Sequence, residues 1–345
     1  MRIFAYLCLA TAVHAAPAAQ YVGAKACERC HRANFTQQSK SAHANALFRA
    51  ADHPLYGALP TDQSLTRKPT YSFTFFLSEG QLHSRVRDAA GLMELPMEWA
   101  FGSGRQAITF VSRVSPDYYV EHFASYYPPA QAWGPTPGQD TLQPADLPRA
   151  AGLLYKTADP ETGVDGCFAC HSTGPVTLGP ANEVLPHETG VHCEACHGPG
   201  SIHAQHPKRN NISNPARLSA TELNQFCGRC HRPPAAPGET TDWNYAWNVR
   251  HEPAYLSQSA CFLKSKGALS CLTCHEPHAP AAAKPAAFYN AKCAACHART
   301  SSACQTNCID CHMPLVSPQA NLKFTNHWIG IYTAGAKLKP TQTKH

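Results

Sequence analysis

Cysteine and histidine carry the clearest chemical pattern in this sequence. Of the 17 cysteines in the chain, fourteen fall into a repeated Cys-x-x-Cys-His unit. Two thiols at this spacing reach the two vinyl groups of one porphyrin, and the next residue then offers an imidazole to the iron. The spacing predicts seven covalent c-type haems, at motifs that we number 1 to 7 in chain order: Cys27/Cys30/His31, Cys167/Cys170/His171, Cys193/Cys196/His197, Cys227/Cys230/His231, Cys271/Cys274/His275, Cys293/Cys296/His297 and Cys308/Cys311/His312.

Other uses of cysteine fit this pattern poorly. A zinc ribbon takes cysteine pairs in twos and needs no histidine after each pair, whereas this chain has an odd number of pairs and a histidine after every one. A disulfide framework would not repeat one spacing. Cys261 and Cys304 lie outside the motifs, and in an oxidising compartment they form either a disulfide, which we favour, or two unrelated thiols.

The first residues predict export. Met1 and Arg2 precede a short apolar run, and an Ala-rich site follows it, so residues 1–15 read as a signal peptide cleaved after Ala15 or Ala16. The run is shorter than the roughly 20 apolar residues of a membrane span, and no later segment is apolar enough for one. We therefore expect a protein of the periplasm or the cell exterior, where c-type haem is attached.

The charge balance does not indicate nucleic acid. The chain carries 29 Lys and Arg against 23 Asp and Glu. Each haem adds roughly −1 when ferric and roughly −2 when ferrous, counting its propionates, so seven haems reverse the apparent basicity. With few charged residues and 29 prolines, the sequence also predicts a loop-rich chain whose porphyrins fill much of the interior.

The motifs are unevenly distributed, and this suggests five segments. After the signal, residues 16–59 hold motif 1, and residues 151–345 hold the other six. Between them, alternating apolar residues predict an antiparallel β module at 60–125, and a Pro-rich connector follows at 126–150. The predicted fold is mostly α-helical and irregular, with short helices around stacked haems and a small β insertion.

Several stretches resemble one group of proteins, the cytochrome c554 and c-552/4-type multihaem family. They are YVGAKAC (21–27), QSKSAHA (38–44), CEACHGPGSIH (193–203), CLTCHEPH (271–278), CIDCHMP (308–314) and FTNHWI (324–329). The resemblance implies that the histidine outside the motif in each stretch is a distal iron ligand of a haem other than the nearest in sequence. These residues are His43, His203, His278 and His327.

Seven bis-histidine haems would need three more distal ligands. His122, His187 and His251 are the candidates that we favour among the remaining histidines, and His83 is expected to be solvent-exposed. The alternative for each is a histidine with no role at a haem.

Two functions remain open from the sequence. The first is electron transfer between redox partners, with the haems as carriers. The second is a nitrite- or hydroxylamine-type oxidoreductase with one haem open at its sixth position, which Arg105, Tyr118, Tyr119 and His122 could line. All seven motifs end in histidine, so the lysine that marks many nitrite reductases is absent, and electron transfer is favoured. The expected partners are donor and acceptor cytochromes, docked in part through the β module; the sequence gives no oligomeric state.

Overall fold

The computed structural model describes residues 18–68, 70–234, 236, 238–281, 284–297 and 307–341. The predicted signal peptide and Cys304 lie outside these residues, and so does the predicted disulfide. No helix in the described part is long and apolar enough to cross a membrane.

The structure contains β-strands along much of the chain. They are β1 Leu47–Arg49, β2 Ser64–Arg67, β3 Tyr71–Ser78, β4 Gln81–Arg87, β5 Leu92–Pro96, β6 Trp99–Phe101, β7 Ile108–Ser115, β8 Tyr118–Tyr127, β9 Ala132–Pro135, β10 Gly152–Lys156, β11 Ser172–Leu178, β12 Val184–Thr189, β13 Leu315–Val316 and β14 Phe324–Thr325.

The helices are short, apart from the first and the sixth. They are α1 Ala24–Gln38, α2 Leu147–Ala151, α3 Val164–His171, α4 Cys193–His197, α5 Ser201–Gln205, α6 Ala220–His231, α7 Glu252–Leu256, α8 Ala260–Lys264, α9 Cys271–Cys274, α10 Ala286–Ala294 and α11 Cys308–His312. The expectation of a mostly helical fold was therefore wrong: the fold is mixed, with extensive antiparallel sheet.

Two antiparallel sheets form the β region. Strands β2-β3-β4-β5 make one sheet, and β1-β6-β7-β8-β10 make the other, with β9 also paired to β8. Within the predicted β module, β3 and β4 pair as a hairpin in which Glu79 and Gly80 both have positive φ, as a two-residue turn between twisted strands requires. Strands of these sheets also lie before and after residues 60–125, from β1 to β10.

The β region has its own core. Phe73, Phe75, Leu82 and Val86 alternate along the first sheet and are buried against residues of the second. Phe75 stacks on Trp133 of β9 with ring centres 3.8 Å apart, so the two sheets pack face to face. Every second residue of a strand points to the same side, which explains why the alternation was visible in the sequence.

The rest of the chain folds into short helices with a smaller apolar core. The motif histidine closes α3, α4, α6 and α11, and motif 5 follows a similar plan, with Cys274 ending α9. Val249, Tyr255 and Val316 are buried together, with Trp243 and Trp328 beside them. In this region the helices mainly position motifs.

Candidate haem-binding site

Four histidines outside the motifs each lie across from a motif histidine. Two imidazoles that bind one metal from opposite sides have ring centres about 6 Å apart, because each metal–nitrogen bond is about 2 Å long and each nitrogen lies about 1 Å from its ring centre. The observed separations fit: His31–His203 6.3 Å, His43–His231 5.9 Å, His197–His278 6.0 Å and His275–His327 6.2 Å.

Each pair joins parts of the chain that are far apart in sequence. His203 follows motif 3 but lies opposite His31 of motif 1, and His278 follows motif 5 but lies opposite His197 of motif 3. His43 lies opposite His231 of motif 4, and His327 opposite His275 of motif 5. This is the arrangement that the resemblance implied, in which no distal histidine serves its nearest motif.

Several motif histidines and their paired histidines are hydrogen-bonded through Nδ1, which leaves Nε2 available. Nδ1 of His171, His197 and His312 lies against a backbone carbonyl, of Ala46, Ser213 and Gly330 respectively. A carbonyl only accepts, so Nδ1 must carry the proton and Nε2 the lone pair. Nδ1 of His203 and His327 also faces a backbone carbonyl. Fixing the tautomer in this way is what iron-binding imidazoles require.

Burial keeps several of these imidazoles neutral. It is the main cause that lowers the pKa of His43, His275 and His327 below the ordinary value of 6.5. The neutral ring is the form that binds a metal. His231 differs, because its hydrogen bond to Glu252 raises its pKa. The donor set in the described residues therefore fits bis-histidine haem at motifs 1, 3, 4 and 5.

A cleft of about 340 Å³ lies between α1 and the α4–α5 segment. It is lined by Cys27, Cys30, His31 and His203, the thiols of motif 1 and the paired imidazoles, and by Cys193 of motif 3. A planar group attached to the two thiols of motif 1 would enter this cleft.

The buried carboxylate of Glu194 connects the two sides of that cleft by hydrogen bonds. Its oxygens accept hydrogen bonds from the backbone N–H of Val22, Gly23 and Gly200 at 2.6–3.0 Å, and the residue is 2% exposed. It thereby ties the start of α1 to α4. Sequence reasoning missed this role; the signal available was a carboxylate inside a haem motif.

Sulfur atoms of different motifs lie close together. In the described structure these are free thiols, which stand for the thioether sulfurs of the haem-loaded chain. The sulfur atoms of Cys27 and Cys193 (motifs 1 and 3), of Cys170 and Cys230 (motifs 2 and 4), and of Cys227 and Cys271 (motifs 4 and 5) are close enough to interact.

Weaker electrostatic and backbone contacts extend this connection. Cys196 of motif 3 lies near Cys227 of motif 4, and Cys274 of motif 5 lies near Cys293 of motif 6. Asn290 of α10 accepts a hydrogen bond from the N–H of Cys308 at 3.0 Å, which joins motif 6 to motif 7. The motifs form a row 1–3–4–5–6–7, with motif 2 branching from motif 4.

Five motif cysteines of the described structure are exposed as free thiols: Cys30, Cys167, Cys230, Cys296 and Cys311. Cys296 also lies near Cys261, whose pKa is raised mainly by burial and further by the Cys296 thiol. Haem attachment at these and the other motif cysteines stays a prediction from the motifs.

His122 is built into the β core and not into a haem site. It is 1% exposed, and its Nδ1 and Nε2 lie 3.1 Å and 2.8 Å from the hydroxyls of Ser84 and Ser112. Both ring nitrogens are thus occupied, and no motif histidine of the described chain lies against the ring. His122 therefore has no free nitrogen to offer an iron. His53 is similar, bonded to Gly102 and Leu55.

Two further candidates also lie away from motif histidines in the described structure. His187 is exposed on β12 and packs against Tyr21 with ring centres 5.4 Å apart. His251 directly precedes α7, where burial lowers its pKa. His83 of β4 packs against Phe76 of β3 and is partly exposed. No imidazole is found across from His171, His297 or His312 among the residues that the structure describes; the ring neighbour of His171 is Phe101, at 5.2 Å.

The four residues considered for an open haem do not form one cluster. Tyr119 is buried and its hydroxyl accepts a hydrogen bond from the N–H of Val184. Tyr118, its neighbour on β8, is 43% exposed, as expected for alternate residues of a strand. Arg105 lies in the loop between β6 and β7, and His122 is in the sheet core.

Comparisons with known proteins find similarity to multihaem cytochromes. The family model for cytochrome c554 and c-prime matches residues 143–198. The multiheme cytochrome MtrA of Shewanella baltica is 25% identical over 178 residues, which cover 44% of this chain and 46% of that protein. The match thus spans less than half of the curated relative.

Two solved structures are also similar. The outer cell wall cytochrome OcwA superposes with a TM-score of 0.50 at 15% identity, over 90% of this chain and 79% of that chain. The undecaheme cytochrome from the S-layer of Carboxydothermus ferrireducens gives a TM-score of 0.46 at 17% identity, over 83% and 44%. The likeness to OcwA concerns the fold alone.

Proposed function

We propose that this chain, a multihaem c-type cytochrome, binds seven haems in a continuous row and transfers electrons between redox partners outside the cytoplasm. The observation that carries the proposal is the set of four imidazole pairs, in which each member comes from a different part of the chain. Haem supplies one-electron redox chemistry when it is bound.

The residues of the chain have three tasks in this function. The fourteen motif cysteines attach the groups and the seven motif histidines bind the proximal side. His43, His203, His278 and His327 bind the distal side at motifs 4, 1, 3 and 5. Each such pair of imidazoles would hold a low-potential haem that exchanges electrons, and would leave no position on its iron for a substrate.

The order of the motifs supports a conducting role. Contacts between neighbouring thiols run from motif 1 through motifs 3, 4 and 5, and α10 then joins motifs 6 and 7. The two ends of the row lie in opposite halves of the chain. Each end is therefore the natural place for a donor or an acceptor protein, through a small and transient interface.

Removing one haem site at a time tests the row. The variant Cys227→Ala/Cys230→Ala lacks the site at the junction, whereas Cys167→Ala/Cys170→Ala lacks only the branch. Each protein is tethered to an electrode through its N-terminus, and the charge passed per molecule is measured at fast scan rates. In the junction variant the electrode should exchange electrons with about two of the six haems, and in the branch variant with all six. Equal charge from both variants contradicts a single row.

The oxidoreductase alternative concerns motif 2. Of the three motif histidines with no imidazole across from them in the described structure, His171 has the ring of Phe101 as its neighbour, at 5.2 Å. A haem that is open at this position would bind cyanide or nitric oxide in the wild type, and it would lose that binding in Cys167→Ala/Cys170→Ala. Binding retained by this variant would place an open haem elsewhere, and absence of binding in both proteins removes the alternative.

A further inference from the structure

The motif histidines differ in what accepts the hydrogen bond from Nδ1. For His171, His197 and His312 the acceptor is a neutral backbone carbonyl. For His231 of motif 4 it is a carboxylate, Oε2 of Glu252, at 3.0 Å. Among motif histidines with a described Nδ1 partner, this is the one that faces a full negative charge.

Glu252 stands among several imidazoles. It is the first residue of α7, and its side chain is 33% exposed. Besides His231, its carboxylate acts electrostatically on His43, the ring across from His231, and on His275 and His327, the pair of motif 5.

A charged acceptor changes the ligand. A carboxylate pulls the Nδ1 proton more strongly than a carbonyl does, so the ring gains imidazolate character and donates more electron density through Nε2. Greater donation favours the ferric over the ferrous state of iron. The effect falls on motif 4, where the thiol contacts to motifs 2, 3 and 5 meet.

We propose that Glu252 is a positioning residue that lowers the reduction potential of the haem at motif 4, and so makes the junction of the row its low-potential point. The proposal rests on haem attachment at Cys227 and Cys230. It does not depend on which partners exchange electrons with the chain. A haem of low potential at motif 4 would separate the haems of motifs 1 and 3 from the haems of motifs 5, 6 and 7.

The test is a spectroelectrochemical titration of the holoprotein in which Glu252→Gln is compared with wild type. The amide keeps the size of the side chain and an acceptor oxygen but removes the charge. One of the fitted potentials should rise by an amount equivalent to a roughly tenfold change in the ferric/ferrous equilibrium, about 59 mV for one electron. The low-spin EPR signal of the same haem should also change its g anisotropy.

Two control variants keep the proposal open to refutation. Glu252→Asp retains the charge and should restore potentials close to wild type. Glu276→Gln removes the exposed carboxylate that bonds His278, a distal histidine, at 3.1 Å, and should shift a potential much less, because solvent screens it. Unchanged potentials and EPR signals in Glu252→Gln overturn the proposal. If Glu252→Gln loses the haem, Glu252→Asp decides: a fully loaded Glu252→Asp whose potential at motif 4 departs from wild type by about 59 mV or more overturns the proposal, because the charge would then not set the potential.

Discussion

His122 should make the protein sensitive to acid through the β core. Because the ring is fully enclosed between Ser84 and Ser112, burial lowers its pKa from 6.5 to about 4 in the folded chain. Above pH 6.5 the ring is neutral in both the folded and the unfolded chain, so it contributes no pH dependence. As the pH falls from 6.5 to 4, only the unfolded chain takes up the proton, and stability falls.

The size of this loss follows from the two pKa values. At pH 4.5 the unfolded ring is almost fully protonated and the folded ring mostly neutral, which corresponds to about 2.5 kcal/mol of lost unfolding free energy. His122→Gln cannot titrate and should lack this loss, although breaking the serine contacts makes it less stable at neutral pH by about 1–3 kcal/mol.

Urea unfolding of the holoprotein, followed by far-UV circular dichroism at pH 7 and pH 4.5, measures both effects. Haem ligands also titrate in acid, so the informative quantity is the difference between variant and wild type at each pH. The unfolding free energy of wild type should exceed that of His122→Gln by less at pH 4.5 than at pH 7, or fall below it. The haem spectrum of the variant at pH 7 should stay that of the wild type. A difference in unfolding free energy that does not change with pH, or the appearance of high-spin haem in His122→Gln, would refute the assignment of His122 to the core.

Other substitutions test the haem sites themselves. His203→Ala should convert one haem from low-spin to high-spin in the visible spectrum, whereas His206→Ala, on the exposed residue just beyond α5, should leave the spectrum unchanged; two identical spectra contradict the pairing with His31. Glu194→Ala removes the charged acceptor of three backbone N–H groups and should lower the unfolding free energy by about 3 kcal/mol or more. Glu28→Ala, which breaks only an ion pair with the exposed Lys25, should cost less than about 1 kcal/mol in the same urea measurement, and comparable losses would contradict the role of Glu194.

The local chemistry of the sites could be predicted from the sequence because it depends on adjacent residues. Cys-x-x-Cys-His is defined within five positions, and the β module could be predicted because burial alternates along strands such as β3 and β4. The four histidines proposed as distal ligands were named from their surrounding stretches, but the motif histidines across from them were not. Pairings such as His43 with His231 depend on tertiary folding, which brings together residues far apart in the chain.

The misassigned features have a common physical origin. His122 occupies an alternating strand, but only the structure shows that serine hydroxyls occupy both of its nitrogens. The extent of the sheets was underestimated because β1, β9 and β10 are three to five residues long and carry little periodicity of their own. Glu252 has no local signature, since its importance comes from the ring that it meets twenty-one positions away.

The most direct test of the central claim is the axial ligation of the oxidised holoprotein, measured by EPR together with near-infrared magnetic circular dichroism. With imidazole pairs at motifs 1, 3, 4 and 5, low-spin bis-histidine haem should account for at least four of the haems. Fewer than four such haems, or a histidine–methionine signature at any of these sites, would contradict the account.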